Sequence, residues 1–165
     1  MKNSRLANLL LKNKILKHGQ FKLRSGQYSS YYCDIRETFG NVKILGEIIK
    51  EIIPLIPKET TCIAGSGLGG VALASIVAYK KKLPVALVRN EVKDHGTKKT
   101  IEGYLPTKND RVCIVDDVFM TGSSISDTKQ KLTPLKCKFT KPVVVINRSE
   151  KNTVFSVLRG NDLIK

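Results

Sequence analysis

The sequence has no tryptophan, only two histidines and only four cysteines, and the last two shortages limit the metal sites that the chain can form. A zinc finger is excluded because the cysteines form no C-x-x-C pair and the histidines are too few to complete a ligand set. Cys62 and Cys113 lie inside apolar segments, and Cys33 and Cys137 lie far from both. We expect buried, reduced thiols, which are typical of the cytoplasm, and we place the protein there.

Long hydrophobic runs are also absent. A membrane-spanning helix needs about 18 or more apolar residues, and the longest uncharged stretch, residues 60–79, is interrupted by glycines and serines. Asn8, Lys12 and Lys14 interrupt any signal-peptide core at the N-terminus. The same segment has the spacing of an amphipathic helix, with one side formed by Leu6, Leu9, Leu10 and Leu16. We therefore expect no membrane partner.

Acidic residues are few relative to basic ones. The chain has 14 Asp and Glu against 29 Lys and Arg, which gives a net charge of +15. Such a balance favours an anionic partner: a nucleic acid, a membrane surface or a phosphorylated metabolite. Lysines cluster at residues 80–82 and 136–141, but no stripe interleaves aromatic and basic residues as in single-strand binding proteins. We expect no specific nucleic-acid partner.

The chain does contain alternating strand-like and helix-like segments within 165 residues, a length typical of one domain. We predict helices at residues 42–56, 71–79 and 123–132, apolar strands at 62–64, 84–88, 112–115 and 143–146, and two short strands at 21–23 and 31–33 joined by a turn at 24–27. Apolar strands that alternate with helices indicate a parallel sheet covered on both faces. The predicted fold class is α/β, with a doubly wound, mainly parallel sheet that binds ligands at the carboxyl ends of its strands.

Glycines concentrate in the run GSGLGG at residues 65–70, between a strand and a helix. The run matches G-x-G-x-x-G, with Glu91 about twenty residues further on. Glycines allow backbone N–H groups to approach a phosphate at a helix N-terminus, but a tight turn without a ligand has the same composition. The run indicates a phosphate site more than a dinucleotide site. A dinucleotide-dependent oxidoreductase would also leave the next motif unexplained.

Two adjacent carboxylates, Asp116 and Asp117, follow the apolar strand at residues 112–115, and a glycine- and hydroxyl-rich run follows at 121–124. Carboxylates accept hydrogen bonds from vicinal sugar hydroxyls, and a helix N-terminus holds a monophosphate. Asp117 could instead cap the helix or pair with a cation. Burying both carboxylates is costly without a ligand or cation, so the motif predicts a sugar-phosphate site.

A third motif places Arg89, Lys93 and His95 after the strand at residues 84–88. We expect residues 93–100 to form an exposed, flexible loop. One interpretation is a solvated charged loop. The other is a basic loop that closes over a polyphosphate.

Residues 116–125 resemble the phosphoribosyl pyrophosphate signature of type I phosphoribosyltransferases. The run R-x-E-x-K-x-H-G-T that begins at Arg89, followed by IEG at 101–103, is similar to the catalytic loop of the orotate phosphoribosyltransferase family, and residues 19–36 are similar to its hood. These matches occur in the family's order over about residues 5–150. The resemblance implies one domain over residues 1–165, with a hood from about 1–36 plus a shortened C-terminal tail and a core from about 40–148.

The resemblance also implies an activity: transfer of a 5-phosphoribosyl group to orotate in pyrimidine biosynthesis, giving orotidine 5′-monophosphate and pyrophosphate. It implies Mg²⁺ held mainly through the substrate with no direct ligand from the chain, and a homodimer with shared active sites. Catalysis is assigned to Lys93, His95 and Asp117, and orotate binding to Tyr32, Cys33, Met120 and Arg148. Phosphoribosyl pyrophosphate binding is assigned to Arg24, Gly67, Arg89, Asn90, Lys93, His95, Asp116, Asp117, Val118, Phe119, Met120, Thr121, Gly122, Ser123 and Ser124.

The chain departs from the family's pattern at three site positions. Asn90 stands where a second lysine is usual, Met120 where a threonine often contacts orotate, and Asn147 where an aspartate precedes Arg148. Met120 and Asn90 favour the alternatives of another base specificity or a regulatory binding role. Retention of both Lys93 and His95 favours catalysis, because a binding module has no evident need for that pair.

Overall fold

Strands and helices alternate along the chain in the computed structural model, which describes residues 4–22, 28–90 and 99–163. Within these ranges the helices are α1 (Ser4–Lys12), α2 (Val42–Ile52), α3 (Gly67–Lys81) and α4 (Ser123–Leu132). The strands are β1 (Leu16–Lys22), β2 (Tyr28–Cys33), β3 (Cys62–Ser66), β4 (Val85–Val88), β5 (Ile101–Gly103), β6 (Arg111–Phe119), β7 (Lys138–Phe139), β8 (Val143–Asn147) and β9 (Phe155–Arg159).

Most strands join one sheet in the order β5-β4-β3-β6-β8-β9, and β7 pairs with the start of β6. Neighbouring strands run parallel except β5, which is antiparallel to β4. The prediction of a mainly parallel sheet is confirmed. The sequence did not predict β5, β7 or β9. The first two have only three and two residues, and β9 lies at the sheet edge with a mixed pattern of exposed and buried residues.

Each face of the sheet has its own hydrophobic core, because successive side chains of a strand point to opposite faces. Ile63 of β3 packs in the larger core with Ile48 of α2 and Leu73 of α3. Its neighbour Ala64 belongs to the second core, together with Ile125 of α4. Helices therefore cover both faces, as the doubly wound prediction requires.

The segment predicted as the hood consists of α1 and the antiparallel β1–β2 hairpin. Both strands are longer than predicted, and the turn predicted at residues 24–27 lies outside the described residues. The prediction that Leu16 belongs to the first helix is wrong: α1 ends at Lys12, and Leu16 begins β1. Leu6 and Leu10 are buried in the larger core, so the hood is fixed to the body of the domain by apolar packing.

The C-terminal segment was expected to belong with the hood, but it extends the main sheet. β9 pairs parallel with β8, with Val144 opposite Ser156 and Ile146 opposite Leu158. The 3₁₀ turn at Gly160–Leu163 follows, and Leu163 is buried in the larger core. The sheet therefore continues past residue 148, where the core was predicted to end.

Some predicted boundaries also change. α2 ends at Ile52 and a 3₁₀ turn, Ile53–Leu55, replaces its predicted last turn, because Pro54 has no N–H to continue the helix. α3 begins at Gly67, four residues before its predicted start. The prediction of α4 at residues 123–132 is confirmed.

All four cysteines lie in the described residues and are free: Cys62, Cys113 and Cys137 are buried, and Cys33 is half-buried. Burial raises the pKa of Cys62 to about 12 and that of Cys113 to about 11, so both are thiols at neutral pH. Within the described ranges, no helix has both the length and the apolar character needed to cross a membrane.

Candidate active site

The acid pair, Asp116 and Asp117, lies inside β6 near the carboxyl edge of the sheet. The prediction that the strand ends before the pair is wrong, since β6 continues to Phe119. Val118 and Phe119 still pair with Ile146 and Asn147 of β8, which keeps the chain extended. The pair is therefore held in a central strand of the sheet, and not on a loop.

Asp116 is buried and accepts two short hydrogen bonds. Ser124 Oγ donates to Oδ2 at 2.7 Å, and the backbone N–H of Asp117 donates to Oδ1 at 2.9 Å. Burial raises the pKa of Asp116 to about 7; the hydrogen bond from Ser124 opposes this rise and the Asp117 charge adds to it. Asp116 therefore titrates near neutral pH, and a ligand that donates hydrogen bonds or brings a cation favours its ionised form.

A chain of hydroxyls fixes α4 against the acid pair. Thr128 Oγ1 donates to Ser66 Oγ at 2.7 Å, and Ser66 Oγ lies 3.5 Å from Ser124 Oγ, the donor to Asp116. Ser66 and Thr128 were not predicted as site residues. Ser66 lies within the glycine run at residues 65–70, but its contact with Thr128 joins residues 62 positions apart, so no local pattern contains that contact.

The glycines at residues 65–70 allow α3 to begin directly against the acid pair. A Cβ at Gly69 would lie 2.3 Å from Asp117 Oδ2, and a Cβ at Gly70 would lie 2.9 Å from Asp116 Oδ1. A Cβ at Gly65 would lie 2.3 Å from the backbone oxygen of Gly70. Close packing of α3 against β3 and the acid pair thus accounts for these glycines. The predicted turn at residues 65–70 is wrong, because β3 ends at Ser66 and α3 begins at Gly67.

Residues 120–124 connect β6 to the N-terminus of α4. Gly122 has a φ of +88°, in the left-handed region, and a Cβ there would lie 2.9 Å from the Phe119 ring. The backbone N–H of Ser123 donates to Thr121 Oγ1 at 3.4 Å. The first turn of α4 carries no acidic residue. Its N–H groups and helix dipole suit a phosphate, and the phosphate site at residues 121–124 stays a prediction.

This connection forms one wall of a cavity of about 550 Å³ that extends from Asp116 to Arg148. Tyr32 and Met120, both predicted to bind orotate, line it, and so does Lys22, which was not predicted as a site residue. Cys33, predicted to contact orotate, does not line this cavity. Burial raises the pKa of its thiol to about 12, so Cys33 is a neutral, partly buried group. The other lining residues are Val118, Phe119, Thr121, Gly122, Ser123, Ser124 and Ile125.

A smaller cavity of about 220 Å³ also borders the acid pair and is lined by Asp117 and by the start of α3 at Gly67. Arg36 also lines it and was not predicted as a site residue. Its Nε donates to Asp34 Oδ1 at 2.8 Å, and this pairing raises the pKa of Arg36 and lowers that of Asp34. Asn90 Nδ2 would lie 3.4 Å from a Cβ at Gly67, so Asn90 borders the same region.

Arg89, predicted to meet pyrophosphate, lines neither cavity. Its Nη2 donates to Glu102 Oε1 of β5 at 3.0 Å. Lys131 Nζ donates to the backbone oxygens of Arg89 and Asn90 at 2.6 and 2.8 Å. The chain is therefore anchored at residues 89–90, where the predicted basic loop begins. Three predicted site residues lie outside the described residues: Arg24, Lys93 and His95.

The described part of the chain offers no group of three or more His, Cys, Asp or Glu side chains that could hold a metal ion alone. It does offer the two carboxylates of Asp116 and Asp117 beside a cavity. Mg²⁺ typically keeps several waters and is bound through one or two carboxylates together with substrate phosphates. The acid pair fits a magnesium ion that arrives with a phosphorylated substrate.

The fold and these residues define a class of protein. The family described as "Phosphoribosyl transferase domain" matches residues 35–155. That match includes the acid pair, the glycine run and residues 120–124, so this part of the chain is a phosphoribosyltransferase domain.

Individual relatives narrow this class. An orotate phosphoribosyltransferase from Methanopyrus kandleri is 35% identical over 150 residues, covering 91% of this chain and 80% of that protein. One from Methanocaldococcus jannaschii is 38% identical over 152 residues, covering 90% of this chain and 84% of that protein. The crystal structure of orotate phosphoribosyltransferase from Aeropyrum pernix superposes with a TM-score of 0.84 at 28% identity and covers 96% of both chains. This chain belongs to the orotate phosphoribosyltransferase family.

Proposed function

We propose that this chain transfers the 5-phosphoribosyl group of phosphoribosyl pyrophosphate to orotate, forming orotidine 5′-monophosphate and releasing pyrophosphate. One observation carries the proposal. A single cavity of about 550 Å³ is lined by the Asp116 carboxylate, by the first turn of α4 and by Arg148. A sugar phosphate and a carboxylate-bearing base are the ligands that these groups suit.

In the proposed reaction the bond from the anomeric carbon to pyrophosphate breaks and a bond to the orotate nitrogen forms. Positive charge develops on the ribose ring in the transition state. We assign the ribose hydroxyls to Asp116 and Asp117, whose carboxylates would accept their hydrogen bonds and lie near that charge. The 5′-phosphate is assigned to residues 121–124, where N–H groups and hydroxyls converge at the start of α4.

The pyrophosphate is assigned to the smaller cavity beside Asp117. Gly67 at the start of α3 offers a backbone N–H there, and Arg36 supplies a cation. We propose that Mg²⁺ enters this cavity with pyrophosphate, near the acid pair, and is held mainly through the substrate with no direct ligand from the chain. When bound, the ion would supply charge neutralisation to the leaving group. Lys93 and His95 keep the catalytic roles that the resemblance implies, and Arg24 and Arg89 remain candidate pyrophosphate contacts.

The departures at Asn90 and Met120 are compatible with this assignment. Asn90 contributes an amide beside Gly67 in place of a cation, so the region loses a charge but keeps a hydrogen-bond donor. Met120 is partly exposed on the wall of the larger cavity and offers apolar contact there. We expect weaker pyrophosphate binding than a lysine would give, and unchanged chemistry.

The experiment that tests this function follows base consumption after adding phosphoribosyl pyrophosphate, with orotate, uracil and hypoxanthine in parallel. We expect only orotate to be consumed, and only when magnesium is present. Consumption of another base in preference to orotate would contradict the substrate assignment. Turnover of no base, with phosphoribosyl pyrophosphate still binding, would indicate a regulatory binding protein.

We further propose that the chain works as a homodimer with shared active sites. An apolar stripe on α3 supports a second copy as the partner: Leu68 and Tyr79 are 81% and 80% exposed, and Val71, Ala72 and Ile76 lie between them at helical spacing. The stripe begins at Leu68, which also lines the cavity assigned to pyrophosphate, so a partner covering it would lie beside the active site.

The double variant Leu68→Glu, Tyr79→Glu tests this interface by light scattering. We expect it to be monomeric, whereas Val42→Glu, at an equally exposed residue of α2, should leave the dimer intact. In a shared site, Lys93 of one subunit serves the site that contains Asp117 of the other. Half of the dimers formed from a mixture of Lys93→Ala and Asp117→Asn chains are mixed, and each mixed dimer has one intact site. The mixture should therefore recover about a quarter of wild-type activity. A monomeric wild type, or no recovery on mixing, would contradict the proposal.

The compartment is also a proposal. The four free cysteines, three of them buried, support a reducing environment, and we propose the cytoplasm.

A further inference from the structure

The guanidinium of Arg148 is held from behind by two residues of β2, the second strand of the hood. Arg148 Nη2 donates to Ser29 Oγ at 2.7 Å. Arg148 Cζ lies 4.5 Å from the centre of the Tyr31 ring, a cation–π contact. Both β2 residues are buried, and neither lines the cavity that Arg148 faces. The two contacts together restrict the position and the plane of the guanidinium.

The hydrogen bonds of Ser29 fix the direction of its hydroxyl. Ser29 Oγ donates its hydrogen to the backbone oxygen of Tyr31 at 2.7 Å and also accepts from the Tyr31 N–H at 3.3 Å. A hydroxyl has one hydrogen to donate. Since that hydrogen is already used, Ser29 faces Arg148 as an acceptor, the role that a cationic donor needs.

The surroundings of Arg148 leave little space for an alternative arrangement. Its backbone N–H donates to the Phe119 oxygen at 2.8 Å, which fixes the chain at the exit of β8. A Cβ at Gly160 would lie 3.2 Å from the Tyr31 hydroxyl and 3.8 Å from Arg148 Cα. The absence of a side chain at Gly160 therefore makes room for the Tyr31 side chain beside Arg148.

Ser29 uses one of the five N–H donors of the guanidinium. The structure records no other side-chain hydrogen bond of Arg148 within the described residues, so a pair of N–H groups remains for a planar, two-oxygen acceptor at the cavity. We propose that Ser29 and Tyr31 are positioning residues that present the Arg148 fork to the carboxylate of orotate. This inference rests on the proposed function for the identity of the ligand, and on the described contacts alone for the orientation of Arg148.

Because the Arg148 guanidinium is held in place before the ligand arrives, binding does not include the entropic cost of ordering a long side chain. Orotate would make this contact equally in the ground state and in the transition state. Loss of the Ser29 or Tyr31 contact with Arg148 should therefore raise KM for orotate and leave kcat nearly unchanged. Among the described residues, the side-chain hydrogen bonds of Ser29 join it to the Tyr31 backbone and to Arg148, and neither Ser29 nor Tyr31 forms one with a residue assigned to phosphoribosyl pyrophosphate. The KM for phosphoribosyl pyrophosphate should therefore not change.

The kinetic test compares Ser29→Ala with Ser30→Ala. Ser30 is the exposed neighbour on the same strand and serves as the matched control. Ser29→Ala should raise KM for orotate about tenfold, with kcat and the KM for phosphoribosyl pyrophosphate within about twofold of wild type. Ser29→Thr should restore most of the loss. Tyr31→Phe should behave as wild type because the ring is kept, whereas Tyr31→Leu should behave as Ser29→Ala.

Either of two kinetic results would overturn the proposal: equal values of KM for orotate in Ser29→Ala and Ser30→Ala, or a parallel rise of KM for both substrates, which would indicate general damage to the hood.

A second readout does not depend on the substrate. In the ¹⁵N spectrum of ligand-free protein, the Arg148 side-chain Nε–H, assigned with Arg148→Lys, should be ordered in wild type and mobile in Ser29→Ala. A mobile Arg148 side chain in wild type would overturn the positioning role of Ser29 and Tyr31 even if orotate is the substrate.

Discussion

Asp116 is the residue at which stability and the proposed function conflict most directly. Burial raises its pKa to about 7, although Ser124 donates a hydrogen bond to it. A carboxyl buried in this way is stable when protonated, whereas the proposed ribose contact uses its ionised form. The protein therefore gives up stability at this position for a binding site.

This conflict predicts a pH-dependent effect of Asp116→Asn on stability. The folded pKa of Asp116 is above its usual value of 3.8, so its contribution to stability is full below pH 4 and is lost as the pH rises towards 7. Asparagine cannot ionise. In thermal or urea unfolding, we expect Asp116→Asn to match wild type at pH 4 and to be more stable at pH 8 by at least about 1 kcal/mol. A variant less stable than wild type at pH 8 would show that the ionised Asp116 is stabilised in the fold.

Two glycines of the same run should respond differently to alanine. A Cβ at Gly69 meets the end of the Asp117 side chain at 2.3 Å, and a carboxylate can rotate away. A Cβ at Gly65 meets the backbone oxygen of Gly70 at 2.3 Å and Ala74 Cβ at 2.6 Å, and neither can move without shifting α3. Gly69→Ala should therefore weaken phosphoribosyl pyrophosphate binding at nearly unchanged stability, and Gly65→Ala should lower stability by several kcal/mol, about 3 or more.

Calorimetric titration and urea unfolding of both variants would check this contrast. Unchanged binding in Gly69→Ala would remove the assigned role of Asp117. Unchanged stability in Gly65→Ala would contradict the close approach of α3 to β3.

At the scale of elements, the sequence predicted the strands and helices whose formation depends on residues that are close together in the chain. The apolar residues near the start of β6 and the segment that forms α4 are local features of the sequence. Residues 112–115 form a strand as predicted, although β6 continues to Phe119, and α4 has the predicted bounds. β7 has two residues and exists because it pairs with β6, and β9 exists because β8 leaves an edge open to it. Such pairings join residues that are distant in sequence, so no local window contains them.

The site divides in the same way. Asp116, Asp117 and residues 121–124 form a contiguous motif, and they could be predicted without a structure. Ser66 and Arg36 come to the site from other elements through the fold. Ser29 reaches Arg148 across 119 positions of sequence. Composition gives no signal for contacts of this kind.

α2 offers a test of local propensity within an element. Gly46 lies in the middle of this helix, and a Cβ there would meet nothing within 4 Å. Glycine in a helix interior costs roughly 0.5–1 kcal/mol relative to alanine. Gly46→Ala should raise the free energy of unfolding by about that amount without changing activity. A loss of stability in urea unfolding would mean that another part of the protein or a partner occupies this surface.

At the scale of the whole molecule, the net charge of +15 is the dominant property. The described residues contain four ion pairs, of which Arg36–Asp34 and Arg89–Glu102 lie near the site. Most of the basic side chains therefore repel one another. Added salt shortens the range of that repulsion, from about 30 Å at 0.01 M to about 10 Å at 0.1 M.

This balance predicts that salt stabilises the protein. Raising sodium chloride from 0.01 to 0.2 M should increase the melting temperature by a few degrees, roughly 2–5 °C, because self-repulsion destabilises the compact state. Chloride is the appropriate anion, since phosphate or sulfate would also bind at residues 121–124. A melting temperature that falls with chloride would show that local ion pairs outweigh the net charge.

In the proposed function, the acid pair and Arg148 serve the two substrates of one transfer reaction. The most direct measurement is the product stoichiometry when purified protein meets orotate, phosphoribosyl pyrophosphate and magnesium, with Asp117→Asn and Arg148→Ala alongside. We predict one orotidine 5′-monophosphate per pyrophosphate in wild type, loss of phosphoribosyl pyrophosphate binding in Asp117→Asn, and loss of orotate affinity in Arg148→Ala. Pyrophosphate release without orotidine 5′-monophosphate, or an Arg148→Ala variant with unchanged orotate affinity, would contradict it.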